Sequence, residues 1–101
     1  LNPTTMTLQE ILKDPRVSVV DVRTEAEFEE EHYPGATNIP LHRIPYMQDV
    51  IQGLSKPIVF YCRSGNRSGQ AVAWLRQQGM QDIYNGGGLY DMLMAAPSLT
   101  N

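Results

Sequence analysis

Cysteine occurs once in these 101 residues, tryptophan once and histidine twice. A lone cysteine excludes an internal disulfide and leaves the redox compartment open. It also gives no metal-ligand spacing with two scattered histidines, so no metal is expected. Positive charge is scarce as well. Eight Lys and Arg against eleven Asp and Glu leave a formal charge of -3, which argues against nucleic acid as a partner. No apolar run approaches membrane-spanning length and no secretory signal is visible, so no membrane partner is expected. Internal repeats and low-complexity linkers are absent, and the length suits one domain over residues 1–101. The chain starts at Leu1 and not at Met, which fits a removed signal peptide as well as a trimmed chain.

What is present is an alternation of strands and helices. Thr7 and Glu10 form a capping-box pattern with Met6 and Ile11 as its hydrophobic staple, which predicts a first helix. Residues 17–22 read as a strand with almost no polar interruption, as a sheet covered on both faces requires. Thr24 and Glu27 repeat the capping box and open an acidic helix to about Glu31. A turn over 32–35 leads to a short strand over 36–39 that Pro40 stops. Ile44, Met47, Val50, Ile51 and Leu54 share a helical face that ends near Gly53. A strand over 58–61 follows, then a helix carrying Ala71, Trp74 and Leu75 with Gly79 at its C-terminal end. Residues 82–85 predict a last strand, the glycines at 86–88 a tight turn, and a final helix runs to about Ala95. Those three glycines lack the spacing of a dinucleotide fingerprint, so no cofactor is expected. Strand–helix alternation implies right-handed crossovers and a mainly parallel sheet. Ligands of such sheets bind beyond the carboxyl ends of the strands, where Cys62 and the segment Asp21–Arg23 both fall.

Cys62 closes the apolar run Ile58–Tyr61 and opens Arg63-Ser64-Gly65-Asn66-Arg67-Ser68, after which a helix starts. A strand that passes through a glycine-containing loop into a helix aims N–H groups and the positive helix end at an anion. The first such anion is the thiolate itself, and Arg63 and Arg67 add charge that favours it, so Cys62 reads as a nucleophile. Burial as a small hydrophobe is the bland alternative. The loop counts as Cys-x4-Arg, one residue shorter than the Cys-x5-Arg ring of cysteine-dependent phosphatases. A narrower ring suits one added sulfur atom better than a phosphate group. The chemistry this points to is sulfur transfer through a persulfide, with the loop arginines drawing in an anionic donor.

These residues resemble the rhodanese family of thiosulfate sulfurtransferases. The resemblance rests on Asp21-Val22-Arg23, Glu27-Phe28, His32-Tyr33-Pro34-Gly35-Ala36, Asn38-Ile39-Pro40, the loop Tyr61–Ser68 and Gly87-Gly88, in the family's order. Many members carry a tryptophan four residues past the second glycine, where this chain has Met92. That ending and the short chain resemble a small periplasmic member. The resemblance implies an α/β rhodanese-like fold, with a central, mainly parallel five-stranded sheet and helices on both faces. It implies a thiosulfate sulfurtransferase in which Cys62 carries the persulfide and Arg63, Ser64, Gly65, Asn66, Arg67 and Ser68 line the loop. Asp21 and Arg23 would support the loop from behind. The implied partners are a small anionic sulfur donor and a thiol or cyanide acceptor, with a thioredoxin-like protein as one source of the thiol. A monomer is expected, in the periplasm ahead of the cytoplasm.

Blander readings accompany these. Either loop arginine could be a solvated charge, and Asp21 could serve a strand-end turn. His32 and His42 read as turn or surface residues, because a preionised thiolate needs no base. Glu25, Glu27, Glu29, Glu30 and Glu31 read as a solvated helix face, or as a docking patch for a basic partner. Arg23 and Glu27, four apart, could pair. Trp74, Met47, Met92 and Met94 read as core or pocket wall. A phosphatase or arsenate reductase of related fold, and a non-catalytic sulfur carrier, are the competing functions.

Overall fold

β-branched and aromatic runs build the sheet, and the helices between them fix its parallel sense. The computed structural model describes residues 6–97. Its elements are α1 (Leu8–Leu12), β1 (Ser18–Asp21), α2 (Glu25–Glu30), β2 (Thr37–Asn38), a 3₁₀ helix (Leu41–Tyr46) and α3 (Gln48–Gln52). They continue with β3 (Ile58–Cys62), α4 (Asn66–Gln77), β4 (Ile83–Gly88) and α5 (Leu89–Ala95). The sheet order is β2-β1-β3-β4, and every neighbouring pair is parallel. Each crossover between parallel strands contains a helix, as parallel pairing demands.

Both predicted capping boxes form. The Thr7 and Thr24 hydroxyls accept from the amides of Glu10 and Glu27, whose carboxylates accept in return from the cap amides. Gly79 follows the end of α4 with φ +94°, and the amides of Gly79 and Met80 donate to the carbonyls of Arg76 and Leu75. This is the paired-carbonyl stop of a Schellman motif.

Period-2 alternation splits the core into two layers. On one face Val20, Val22, Phe60 and Cys62 pack with Ile44, Ile51, Ala71 and Leu75. On the other, Val19, Val59 and Tyr61 pack with Ile11 and Leu12 of α1 and Leu89 and Met92 of α5. Helices therefore cover both faces, and the buried strand runs are explained.

Four expectations need correction. The described residues hold four strands, not five. Residues 6–12 and 41–52 are committed to helix starts and helical turns, and β2 is only two residues long because the chain turns into the 3₁₀ helix at Leu41. The helix expected around Ile44–Leu54 is broken into a 3₁₀ turn and α3 at Met47, since Pro45 cannot donate within a continuous α-helix. The glycines at 86–88 are not a tight turn. They finish β4, with a bulge that pairs Phe60 with Asn85 and Tyr61 with Gly87. Met94 is 86% exposed and lies outside the core, whereas Met92 is fully buried in it.

Candidate active site

The sheet brings the carboxyl ends of β1, β3 and β4 to one rim. Asp21 pairs in register with Tyr61, and Cys62 with Gly88. Cys62 is the last residue of β3 and α4 begins four residues later, so only Arg63, Ser64 and Gly65 connect them. Gly65 caps α4 with φ +98°, a conformation that glycine adopts without a Cβ penalty. A Cβ there would also lie 3.2 Å from the Gly87 Cα. This turn directs the Gly65 amide onto the Cys62 Sγ at 3.0 Å. The Ser68 amide follows at 3.5 Å and the Ser68 hydroxyl at 3.4 Å. Gly88 lets β4 approach the same loop, because a Cβ on it would collide with the Arg63 carbonyl oxygen.

The residue carrying this sulfur is 1% exposed. Burial is the largest single influence on the thiol and opposes ionisation. The Ser68 hydroxyl and the amides of Ser68, Ser64 and Gly65 act against it, and together they hold the thiol below its ordinary value of 9.0. A sulfur so placed, at the positive end of a twelve-residue helix, ionises more readily than an ordinary cysteine thiol.

The loop arginines do not point freely into this cradle. Arg67 donates to both carboxylate oxygens of Glu27, at 2.9 and 3.1 Å, and Arg63 Nε lies 3.4 Å from the same carboxylate. Sequence spacing allows Arg23 to pair with Glu27, but the fold gives each another partner. Arg23 precedes α2 and turns inward, while Glu27 reaches across to α4. The remaining acidic residues of α2 and its end, Glu25, Glu29, Glu30 and Glu31, are exposed. Arg67 holds the Glu27 carboxyl far below its usual 4.5.

Glu27→Gln keeps the acceptor for the Thr24 amide and removes the charge that occupies both arginines. Affinity of the loop for a doubly negative anion should rise by about three- to tenfold, with about 1–2 kcal/mol lost from stability. Anion titration and denaturant unfolding check both. The depressed carboxyl makes the stability difference full above pH 4.5 and smaller as the pH drops below it, so parent and variant midpoints should converge in acid.

Behind the loop lies a buried polar cluster. The Asp21 carboxylate is wholly buried and receives the Arg23 guanidinium, at 2.7 Å for Nη2, and the Arg23 amide at 2.8 Å. The Tyr61 hydroxyl also donates to it at 2.7 Å, while accepting from the Tyr33 amide at 2.9 Å. Arg23 additionally donates to the Glu31 carbonyl and lies over the Tyr61 ring. Burial first, and the Asp21 hydrogen bond second, push the Tyr61 phenol upward and keep it a donor. Asp21 and Arg23 thus anchor the residue next to Cys62 and do not touch Sγ. His32 stacks on Phe28 and both histidines are exposed, away from the sulfur contacts.

Sequence reasoning misses Asn85. Its side chain accepts from the Gly87 amide and the Ser68 hydroxyl and donates to the Gly65 carbonyl. The available signal is an asparagine two residues before a glycine, the spacing at which an Asx side chain accepts from backbone.

Comparison with known proteins now has a geometry to meet. The family model of the rhodanese-like domain matches residues 4–91. A protein from Allochromatium vinosum named sulfurtransferase is 44% identical over 69 residues, covering 68% of this chain and 64% of its own length. The thiosulfate sulfurtransferase PspE of Escherichia coli is 34% identical over 76 residues, covering 74% of this chain and 73% of its own. A tRNA uridine(34) hydroxylase from Erwinia tasmaniensis also matches, at 35% identity over 74% of this chain but 23% of that protein. The chain thus spans less than two thirds of some relatives. Among solved structures, a rhodanese with anions from E. coli superposes with a TM-score of 0.70 at 31% identity, covering 84% of this chain and 99% of that one. A cysteine loop between a parallel strand and a helix, set in a domain matched over residues 4–91, places this chain in the rhodanese-like domain family.

Proposed function

We propose that this domain is a sulfurtransferase that takes sulfane sulfur from thiosulfate, or a similar small anionic donor, onto Cys62 and delivers it to a thiol or cyanide. The carrying observation is the Cys62 Sγ inside a short ring of donors, with the Gly65 amide at 3.0 Å and the Ser68 amide and hydroxyl behind it. Relatives named sulfurtransferase and thiosulfate sulfurtransferase support the same reading.

In the first step the thiolate attacks the outer sulfur of the donor. The new S–S bond forms as the S–S bond to the sulfonate breaks, and the electron pair leaves with sulfite. The persulfide's negative outer sulfur then lies where loop amides and the helix end favour an anion. In the second step an acceptor thiolate or cyanide attacks that outer sulfur, and the bonding pair returns to Sγ. No base is needed, because the nucleophile enters the cycle ionised and leaves it ionised.

Mass spectrometry of the protein after thiosulfate treatment should find one added sulfur atom, confined to the peptide holding Cys62 and removed by cyanide. An unmodified Cys62 under those conditions would overturn the reading. Loading only by a protein persulfide would favour a carrier. Hydrolysis of a small aryl phosphate would favour a phosphatase.

A further inference from the structure

One exposed carboxamide touches three parts of the nucleophile loop. Asn85, in β4, donates from Nδ2 to the Gly65 carbonyl at 3.0 Å. Its Oδ1 accepts from the Gly87 amide at 2.9 Å and from the Ser68 hydroxyl at 2.7 Å. This orientation is forced. A flipped amide would set oxygen against the Gly65 carbonyl and NH₂ against the Gly87 N–H, losing both bonds.

We propose that Asn85 is a positioning residue for the Cys62 nucleophile, clamping the Gly65 turn so that its amide faces Sγ and giving the Ser68 hydroxyl an acceptor beside the sulfur. The assignment rests on the reading of Cys62 as the sulfur-carrying residue.

Gly65 supplies the shortest donor to Sγ, and its own carbonyl is fixed at once by Asn85 and by the Gly69 amide at 2.9 Å. Gly87 packs against Gly65 so closely that a Cβ could not be inserted comfortably, and Asn85 bridges the two by bonding the Gly65 carbonyl and the Gly87 amide. Ser68 has one hydroxyl proton and two acceptors, Oδ1 at 2.7 Å and Sγ at 3.4 Å. When the sulfur is protonated, its S–H can give to the Ser68 oxygen while that hydroxyl gives to Asn85. When the sulfur ionises, the hydroxyl proton turns to Sγ, and Oδ1 keeps the Gly87 N–H. Asn85 therefore provides the hydroxyl with a resting acceptor beside the nucleophile. The charged groups around the loop are Arg67 and Arg63, which both bond to Glu27, and Asp91, which accepts from the Gly88 amide; the bonds of Asn85 all go to other groups.

Asn85 is solvent-exposed, so truncating it opens no core cavity. The test compares the parent with Asn85→Ala and Asn85→Asp by the pH dependence of thiolate absorbance and of iodoacetamide alkylation, with thermal unfolding alongside. Asn85→Ala should move the thiol midpoint upward by about half a unit to one unit, a roughly three- to tenfold loss of thiolate on the acid side. Its unfolding temperature should stay close to the parent's. The loss of the Gly65 clamp outweighs any release of the Ser68 hydroxyl, because Gly65 makes the shorter contact to sulfur. Asn85→Asp keeps the acceptor but presents oxygen to the Gly65 carbonyl and adds a negative charge, so it should not rescue the shift. An unchanged or lowered midpoint in Asn85→Ala, or a parent-like Asn85→Asp, would overturn the assignment. Thiol ionisation is read without any sulfur donor, so this test can fail while persulfide formation stands, and the reverse.

Discussion

Cys62→Ser should reduce donor-dependent sulfur release to the uncatalysed background while leaving the fold in place. Serine keeps the shape of the side chain and can still accept from the Gly65 and Ser68 donors that now serve Sγ. Its hydroxyl is not ionised at neutral pH, and the loop donors cannot make it so. Stability should therefore change by about 1 kcal/mol or less, against a loss of essentially all turnover. The parent's alkylation rate should rise with pH and level off below 9.0, because only the thiolate reacts and its donors favour that form. Full turnover in Cys62→Ser would remove Cys62 from the reaction, and an inflection above 9.0 would mean that burial wins over the loop donors.

The largest expected loss of stability comes from Arg23→Met. The Asp21 carboxylate is wholly buried, and the Arg23 side chain is 5% exposed. Removing the guanidinium strands a buried negative charge with the Tyr61 hydroxyl and the amide of residue 23 to hold it, which costs about 3–5 kcal/mol. Domains of this size hold about 5–15 kcal/mol in all, so the unfolding temperature should fall by more than about 10 °C. Asp21→Asn combined with Arg23→Met should recover part of that loss, since the unpaired charge goes with its partner. Calorimetry checks both, and a shift as small as that of an exposed ion pair would mean that water reaches Asp21. The consequence extends to the site. Tyr61 is the residue before Cys62, and it is held from β1 through Asp21 and from the following turn through the Tyr33 amide.

The acidic helix α2 shows where sequence logic holds and where it stops. Thr24 and Glu27 announce the helix start by spacing alone, and the capping box forms. The same Glu27 also neutralises Arg67, forty positions along the chain, and no local pattern marks that partner. The loop arginines accordingly look free in sequence and are bound in the fold. Pro45 carried a readable warning against one long helix, and the break at Met47 follows from it. The glycines at 86–88 were legible as special backbone but not as strand, because only the bulge opposite Phe60 and Tyr61 absorbs them into β4.

Short-range order is written in this chain: caps, buried strand runs, the Gly65 turn and a thiol set at the step from strand to helix all depend on neighbours within a few positions. Tertiary folding alone decided which distant groups meet, joining Asp21 to Tyr61, Glu27 to Arg67 and Ser68 to Asn85. The physical reason is that a hydrogen bond needs ångström-scale approach and direction, and both are set by sheet register and crossover packing, which the order of residue types does not encode locally.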